Sequence, residues 1–237
     1  MKKILIIIPA YNEELSIGKV ITEIKTKNKE VDILVVNDGS TDNTFNEACK
    51  YGVMVIDLPC NLGIGGAMQT GYMYAYKNDY DIAVQVDGDG QHDPSDIEEI
   101  IKPVMNNEVD MIIGSRFINK TGYKSTIFRR SGMIYFTNLI KILTGKRIED
   151  TTSGFRAVNR KIIELFAKDY PLEYPEVEVI VKLSKMGYKI KEIPVFMHKR
   201  NFGKSSITPI KSIYYMIRVT IGATSNANLK NKRRLVN

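Results

Sequence analysis

Short apolar runs rich in β-branched residues recur through the first half of the chain. They span residues 4–8, 31–36, 53–58, 80–86 and 109–114. Runs of this length and composition are typical of strands that are buried on both faces of a parallel sheet. Stretches with helical spacing of apolar residues alternate with them, at 13–26, 42–51, 63–77 and 95–106. The alternation predicts an α/β fold in which helices flank a mostly parallel central sheet.

The pattern changes in the second half of the chain. It predicts helices at 131–145, near 160–167 and at 175–186, and a strand over 189–197. A last amphipathic helix is predicted at 207–223, followed by a basic tail. The apolar side chains of this helix fall within an arc of roughly 80°, with Lys211 and Arg218 at its edge. A helix lying on an anionic bilayer and a helix packed on the sheet both fit this pattern.

The composition limits the classes of protein that fit the chain. A length of 237 residues with 43% hydrophobic and 26% charged residues suits one large globular α/β domain. The net charge of +7 favours an anionic partner such as a nucleotide or a phospholipid surface. Nucleic acid is not expected as a partner, because no basic surface interleaved with aromatic residues is apparent. Cys49 and Cys60 give no disulfide framework and the chain shows no signal-peptide pattern, so a cytoplasmic location is expected.

Polar motifs follow each of the five predicted strands. In chain order they are AYNEE, NDGSTD, CNLGIGG, DGDGQHD and SRF. The carboxyl ends of parallel strands meet at one edge of the sheet, and ligands bind there in folds of this class. A single loop rich in Asn, Asp and Gly is usually only a turn. Five such loops at the same edge predict a binding site.

The motif DGDGQHD carries the densest negative charge of the five. Asp87 and Asp89 lie two residues apart in an extended segment, so both carboxylates can reach one cation, and Gln91 can add a neutral oxygen. Hard divalent cations prefer such a compact set of oxygen ligands. The sequence therefore predicts a site for Mg²⁺ or Mn²⁺ with an anionic ligand. We interpret His92 as a hydrogen-bonding loop residue, because imidazole is a softer ligand than this site requires.

Taken in order, the motifs resemble those of a known family. IPAYNEE, VVNDGSTD, NLGIGGA, QVDGDGQHDP, GSRF and TSGFRA are similar to the family 2 inverting glycosyltransferases with the GT-A fold, and especially to the subgroup of dolichol-phosphate mannose synthase and the bacterial polyprenyl-phosphate glycosyltransferases. The resemblance implies a GT-A domain at 1–206, with a nucleotide-sugar-binding half at 1–115 and an acceptor-binding half at 116–206. The amphipathic helix and basic tail then occupy 207–237. Ile64 departs from the pattern, because many relatives carry a phosphate-binding lysine there.

The resemblance also implies roles for individual residues. A UDP- or GDP-linked sugar donor is expected on Pro9, Tyr11, Glu13, Asp38, Asp87, Arg200 and Lys204. The metal, which would stabilise the departing diphosphate, is expected on Asp87, Asp89 and Gln91. The acceptor phosphate is expected on Arg116, Arg129 and Arg130, with Arg156 as a further basic candidate. The catalytic candidates are Asp89, Asp150 and Arg116.

Three functions stay open from these residues. The first is metal-dependent transfer of a sugar to a polyprenyl phosphate, such as undecaprenyl or dolichyl phosphate, which needs no base because its second pKa is about 6. Asp150 would then orient an arginine or act near the metal. The second is transfer to a sugar hydroxyl in cell-surface polysaccharide synthesis, where a carboxylate such as Asp150 must take a proton. The third is a nucleotide-sugar-binding protein without catalysis, against which the pair Asp87 and Asp89 argues.

The expected location follows from the lipid acceptor. No stretch reaches the ~20 apolar residues that a spanning helix needs. The chain is therefore expected to act peripherally at the inner face of the membrane, held by the membrane surface or by a membrane-embedded partner protein. Association into a homo-oligomer stays open.

Overall fold

The computed structural model describes residues 2–118, 127–173, 175–198, 216 and 218–225, with only the backbone described for 127–130. The described strands are β1 Ile4–Ala10, β2 Asp32–Asn37, β3 Met54–Asp57, β4 Ile82–Gln85, β5 Met111–Ser115, β6 Arg156–Asn159 and β7 Ile190–Pro194. The described helices are α1 Ile17–Lys27, α2 Thr44–Cys49, α3 Gly63–Lys77, α4 Asp96–Met105, α5 Ile127–Thr144, α6 Arg160–Lys168 and α7 Pro175–Lys185. Residues 216 and 218–225 are also helical.

The strands form one seven-stranded sheet in the order β3-β2-β1-β4-β6-β5-β7. Four of the neighbouring pairs are parallel, and β6 runs antiparallel to both β4 and β5. The predicted α/β class with a mostly parallel sheet is therefore confirmed. β6 was not predicted as a strand, because its sequence RAVN is short and carries polar residues at both ends.

Strand β1 shows why the sheet is buried on both faces. Its side chains alternate between two hydrophobic clusters. Leu5 and Ile7 join the cluster formed with α3, α5, α6 and α7. Ile6 and Ile8 join the cluster formed with α1, α2 and α4. Continuous apolar runs therefore predict these buried strands correctly. The polar loops lie at the edge of the sheet formed by the carboxyl ends of the parallel strands.

The predicted helices are present, and some begin later than expected. Helix α1 begins at Ile17 rather than at Glu13, because residues 13–16 form a turn in which the Glu13 carbonyl accepts the N–H of Ser16 at 3.0 Å. Helix α2 begins at Thr44, and the preceding Asp42 accepts a backbone hydrogen bond from Thr44 at 3.0 Å. These turns keep the polar residues at the sheet edge.

The C-terminal helical segment packs on the domain where it is described. Val219 and Ala223 are buried in the cluster that contains α5 and α7, and the hydroxyls of Tyr135 and Thr220 lie 2.9 Å apart. The rest of the predicted helix and the basic tail lie outside the described residues. Among the helices that the structure describes, none has the length and apolar character to cross a bilayer.

Candidate active site

The loops that follow β1 and β2 are held together by side-chain-to-backbone hydrogen bonds. The Asn12 side chain accepts the N–H of Thr41 at 2.8 Å, and the N–H of Asn12 donates to the Ser40 hydroxyl at 3.0 Å. Gly39 lies at φ +63°, and a Cβ there would come within 2.6 Å of the Cys60 carbonyl carbon. Only glycine fits this crossing of the second and third loops. The three loops thus form one preorganised surface.

Asp38 lies at the base of this surface and is 4% exposed. Its carboxylate accepts the backbone N–H of Leu62 at 2.7 Å. Burial raises the pKa of Asp38, although the backbone N–H groups of Leu62 and Gly63 act to lower it. A carboxylate fixed in this way can accept a further hydrogen bond from an N–H group of a nucleobase.

The other residues predicted for the donor flank Asp38 on β1 and its loop. Pro9 is buried within β1, whereas Tyr11 is 47% exposed beyond the end of the strand. The Glu13 carboxylate accepts the Ser16 hydroxyl at 2.6 Å, and the Glu13 N–H donates to the Thr44 hydroxyl at 2.8 Å. Glu13 therefore also stabilises the turn before α1.

The acidic loop after β4 crosses close to the end of β1. A Cβ at Gly88 would lie 3.3 Å from the Pro9 carbonyl oxygen. Asp87 is held by its neighbours, because His92 Nε2 lies 3.0 Å from its Oδ2 and Gln85 Nε2 lies 3.4 Å from its Oδ1. Burial would raise the pKa of Asp87, but the hydrogen bonds from His92 and Gln85 and the charge of Arg116 lower it overall. The prediction that His92 forms a hydrogen bond within this loop is confirmed.

The residues predicted for a divalent cation supply oxygen atoms. The Asp89 carboxylate accepts the N–H of Gln91 at 3.0 Å, and the Gln91 side chain donates its own N–H to the His198 carbonyl at 3.3 Å. Within the ranges that the structure describes, no three His, Cys, Asp or Glu side chains converge as a metal cage. The oxygen chemistry fits Mg²⁺ or Mn²⁺ provided that the ligand itself, such as a diphosphate, completes the coordination.

Arg116 follows β5 and is bound to Asp150. Its backbone N–H and Nε lie 3.0 and 2.7 Å from Asp150 Oδ2, and its Nη2 lies 2.6 Å from Oδ1. The Asp150 side chain is 0% exposed and that of Arg116 is 14% exposed. Both Asp150 oxygens thus accept N–H bonds from one guanidinium. Of the roles considered for Asp150, this geometry supports orientation of Arg116 rather than proton abstraction.

A second carboxylate fixes the Asp150 loop. Glu192 in β7 accepts the backbone N–H groups of Glu149 and Asp150 at 2.8 and 2.7 Å. Burial, together with the charge of Asp150, raises the pKa of Glu192. Thr152 adds a contact of 2.9 Å to Arg116 Nη2. Glu192 and Thr152 were not predicted, because no local pattern shows that their strand and loop meet at Arg116.

One predicted basic residue is buried and is not available to an acceptor. Arg156 is 3% exposed within β6 and donates to the carbonyls of Ser153 and Glu176 at 2.7 and 3.0 Å. Its guanidinium is thus bound to backbone carbonyls, and the prediction that it binds the acceptor was wrong. Of the remaining candidates, the side chains of Arg129 and Arg130 and all of Arg200 and Lys204 lie outside the described residues.

Comparison with known proteins finds similarity along most of the chain. The family described as Glycosyl transferase family 2 matches residues 5–166. An uncharacterized protein of Methanocaldococcus jannaschii is 33% identical over 91% of this chain and 91% of that protein. The UDP-N-acetylglucosamine–dolichyl-phosphate N-acetylglucosaminyltransferase of Methanococcus voltae is 31% identical over 82% of this chain and 85% of its own length. The polyprenol monophosphomannose synthase of Mycolicibacterium smegmatis is 27% identical, with 87% and 82% covered.

Solved structures share the fold. Glucosyl-3-phosphoglycerate synthase from Mycobacterium tuberculosis, in complex with Mn²⁺, UDP-glucose and phosphoglyceric acid, superimposes with a TM-score of 0.71. The sequence identity is 20%, and the match covers 96% of this chain and 80% of that one. At this identity the likeness concerns the architecture alone.

Proposed function

Because the chain belongs to glycosyl transferase family 2 and has the GT-A fold, we propose that this glycosyltransferase moves a sugar from a nucleoside diphosphate donor to a polyprenyl phosphate. An oxygen of the lipid phosphate attacks the anomeric carbon, and the bond from that carbon to the diphosphate oxygen breaks. The products are a glycosyl polyprenyl phosphate, with inverted configuration at the anomeric carbon, and the free nucleoside diphosphate. The Methanococcus relative is named as a transferase to dolichyl phosphate and the Mycolicibacterium relative as a synthase of polyprenol monophosphomannose, and both names support this acceptor class.

The observation on which the proposal rests is the ion pair between Asp150 and Arg116. Asp150 is fully buried, and both of its oxygens accept N–H bonds from Arg116. A carboxylate in that state is poorly placed to take a proton from an acceptor hydroxyl. A phosphate acceptor needs no base, since it is mostly ionised at neutral pH with a second pKa of about 6. It needs oriented cations, and a guanidinium fixed by a buried carboxylate meets that need.

The donor is assigned to the loops after β1, β2 and β4. Asp38 accepts a hydrogen bond from the base of UDP or GDP, and Pro9, Tyr11 and Glu13 line the base and ribose. Asp87 contacts the ribose or the sugar. Asp89 and Gln91, with Asp87 beside them, are the residues that would hold Mg²⁺ or Mn²⁺. A cation bound there supplies positive charge to the leaving diphosphate.

The surface of α5 supports a peripheral position at the inner face of the membrane. Ile134 and Ile142 are 56% and 81% exposed on this helix, and Ile221 of the C-terminal segment is 55% exposed. Lys141 lies on the same exposed side of α5. An apolar surface with a cation at its edge suits the headgroup region of an anionic bilayer, where the lipid acceptor resides. A membrane-embedded partner protein is the other means of attachment.

One observation favours a second acceptor class, a sugar hydroxyl. Glu176 at the first turn of α7 has an oxygen, Oε2, without a hydrogen-bond partner among the described residues. Burial raises the pKa of Glu176, and the charges of Arg156, Asp87 and Arg116 also act on it. A carboxyl with a raised pKa near these residues is a candidate base.

Transfer assays distinguish the two acceptors. The protein is incubated with Mg²⁺, with UDP-glucose, UDP-N-acetylglucosamine or GDP-mannose, and with a short polyprenyl phosphate or a free oligosaccharide. We expect sugar transfer to the polyprenyl phosphate, with Glu176→Gln retaining most of the rate. Transfer to the oligosaccharide alone, lost in Glu176→Gln, would establish the second acceptor class.

A further inference from the structure

His92 has a side chain whose contacts single it out within the acidic loop. The ring is 4% exposed, and its Nε2 lies 3.0 Å from Asp87 Oδ2. One face packs on Phe155, with the ring centroids 4.8 Å apart and the planes inclined by 34°. The other nitrogen, Nδ1, is buried and has no hydrogen-bond partner among the described residues.

These contacts define which nitrogen carries the proton. A ring with its proton on Nδ1 alone would place the lone pair of Nε2 against a carboxylate oxygen, which can only accept a hydrogen bond. A proton on Nε2 instead makes this contact a hydrogen bond from the ring to the carboxylate, so Nε2 carries the N–H.

The Asp87 carboxylate is confined on its other side as well. A Cβ at Gly154 would lie 2.9 Å from Asp87 Oδ1 and 2.8 Å from Gln85 Nε2. The loop backbone approaches this closely only because residue 154 is glycine. With His92 on one oxygen and the glycine backbone beside the other, the carboxylate has one orientation.

We propose that His92 is a positioning residue, which donates its Nε2–H to Asp87 and thereby aligns that carboxylate with the hydroxyl groups of the donor's ribose or sugar. The inference rests on the proposed function, in which Asp87 contacts the donor. The carboxylates of Asp87 and Asp89 then have different roles. Asp87 accepts a hydrogen bond from His92 and is suited to hydroxyl groups, whereas Asp89 would hold the cation that binds the diphosphate.

The loop backbone does not depend on the imidazole. The His198 N–H donates to the Gln91 carbonyl at 2.8 Å, and His92 and Met197 form an antiparallel bridge. Side-chain variants at position 92 therefore keep the loop attached to the segment after β7. This separates the positioning role from simple support of the fold.

Three variants test the donor role of Nε2. His92→Phe keeps a ring against Phe155 but removes the N–H, and His92→Gln restores an N–H at a similar reach. His92→Asn is too short to reach Asp87, and it replaces His92→Phe if that variant does not fold. His198→Gln is the matched control, because the second histidine is 48% exposed and contacts Asp93 at 3.3 Å instead.

The measurement is calorimetric binding with Mg²⁺ present and no acceptor. The probes are UDP and GDP, and whichever of UDP-glucose, UDP-N-acetylglucosamine and GDP-mannose the wild type binds most tightly. A lost hydrogen bond to a charged group predicts about 10- to 100-fold weaker binding of the nucleotide-sugar by His92→Phe. His92→Gln recovers most of that affinity, and His198→Gln stays within about twofold of the wild type. Thermal unfolding of the three position-92 variants accompanies the titrations.

Two results overturn the inference. One is wild-type affinity in a folded His92→Phe or His92→Asn variant. The other is a His92→Gln variant as weak as His92→Phe, which would show that packing rather than the N–H matters. Failure of the proposed function is a separate result, because it appears as absent transfer to polyprenyl phosphate in the wild type while the ranking of these variants stands.

Discussion

Replacement of Asp150 by asparagine should impair use of the acceptor through Arg116. The carboxylate accepts the backbone N–H, Nε and Nη2 of Arg116 at 3.0, 2.7 and 2.6 Å. Asparagine keeps one oxygen, but its NH₂ group then faces the guanidinium donors. The expected consequence is an arginine that samples several positions and binds the acceptor phosphate more weakly.

The magnitude follows from the burial of the pair. Asp150 is 0% and Arg116 14% exposed, so the ion pair is largely removed from water. Breaking such a pair from one side costs roughly 3–5 kcal/mol, and the oxygen that asparagine retains places the expected loss at about 3 kcal/mol. Since domains are commonly stable by about 5–15 kcal/mol, the variant should still fold at low temperature.

The assays are urea unfolding and initial rates at saturating donor with varied polyprenyl phosphate. Asp150→Asn and Arg116→Met should each raise the acceptor KM, by about 10-fold or more if a charge-assisted hydrogen bond is lost. The double variant should be no less stable than Asp150→Asn alone, because it no longer contains a stranded charge. Donor binding should be nearly unchanged in all three proteins.

A different pattern would refute the orienting role of Asp150. If Asp150 is a general base, Asp150→Asn should lower kcat by about 10²- to 10⁴-fold at saturating acceptor. Arg116→Met would then be mild, and the stability losses of the two single variants would add.

Three further predictions concern binding of the donor and its cation. Asp38→Asn should weaken binding of the nucleotide by about 10- to 100-fold in calorimetry. Because burial raises the pKa of Asp38 in the folded state, the variant should unfold at or above the wild-type temperature at pH 7. This difference in unfolding temperature should shrink as the pH falls and the wild-type carboxyl takes up its proton. Asp89→Ala, or excess chelator, should abolish transfer, and Asp89→Glu should also fail because an added methylene displaces a ligand that must sit about 2.1 Å from Mg²⁺; full turnover in any of these conditions would remove the metal role. Gly154→Ala should raise the donor KM, because the new Cβ would lie 2.9 Å from Asp87 Oδ1, and an unchanged KM would show that Asp87 does not contact the donor.

The sequence was sufficient to predict most strands of the sheet and the polar loops at its edge. Apolar runs such as residues 4–8 are buried on both faces, so they contrast sharply with the polar loops that follow them. Strand β6 escaped prediction because four residues beginning with an arginine carry no periodicity that could be recognised. Its antiparallel direction depends on pairing with two strands that lie far away in the chain.

The side-chain partners within the site could not be predicted. Arg116 and Asp150 are 34 positions apart, and Asp150 and Glu192 are 42 apart. Their meeting depends on how the loops before β6 and the strand β7 fold over the sheet edge. Arg156 shows the opposite error, because its position in the motif GFR suggested a basic residue in a loop, whereas pairing in β6 buries it.

The acceptor is tested most directly by mass spectrometry of the reaction products. The wild-type protein is supplied with Mg²⁺, the nucleotide-sugar that it binds most tightly, and equal amounts of a polyprenyl phosphate, the corresponding polyprenol and a free oligosaccharide. We predict that one sugar is added to the polyprenyl phosphate and none to the polyprenol or the oligosaccharide. Addition of sugar to the oligosaccharide, with the polyprenyl phosphate left unmodified, would contradict the assignment of a lipid phosphate acceptor.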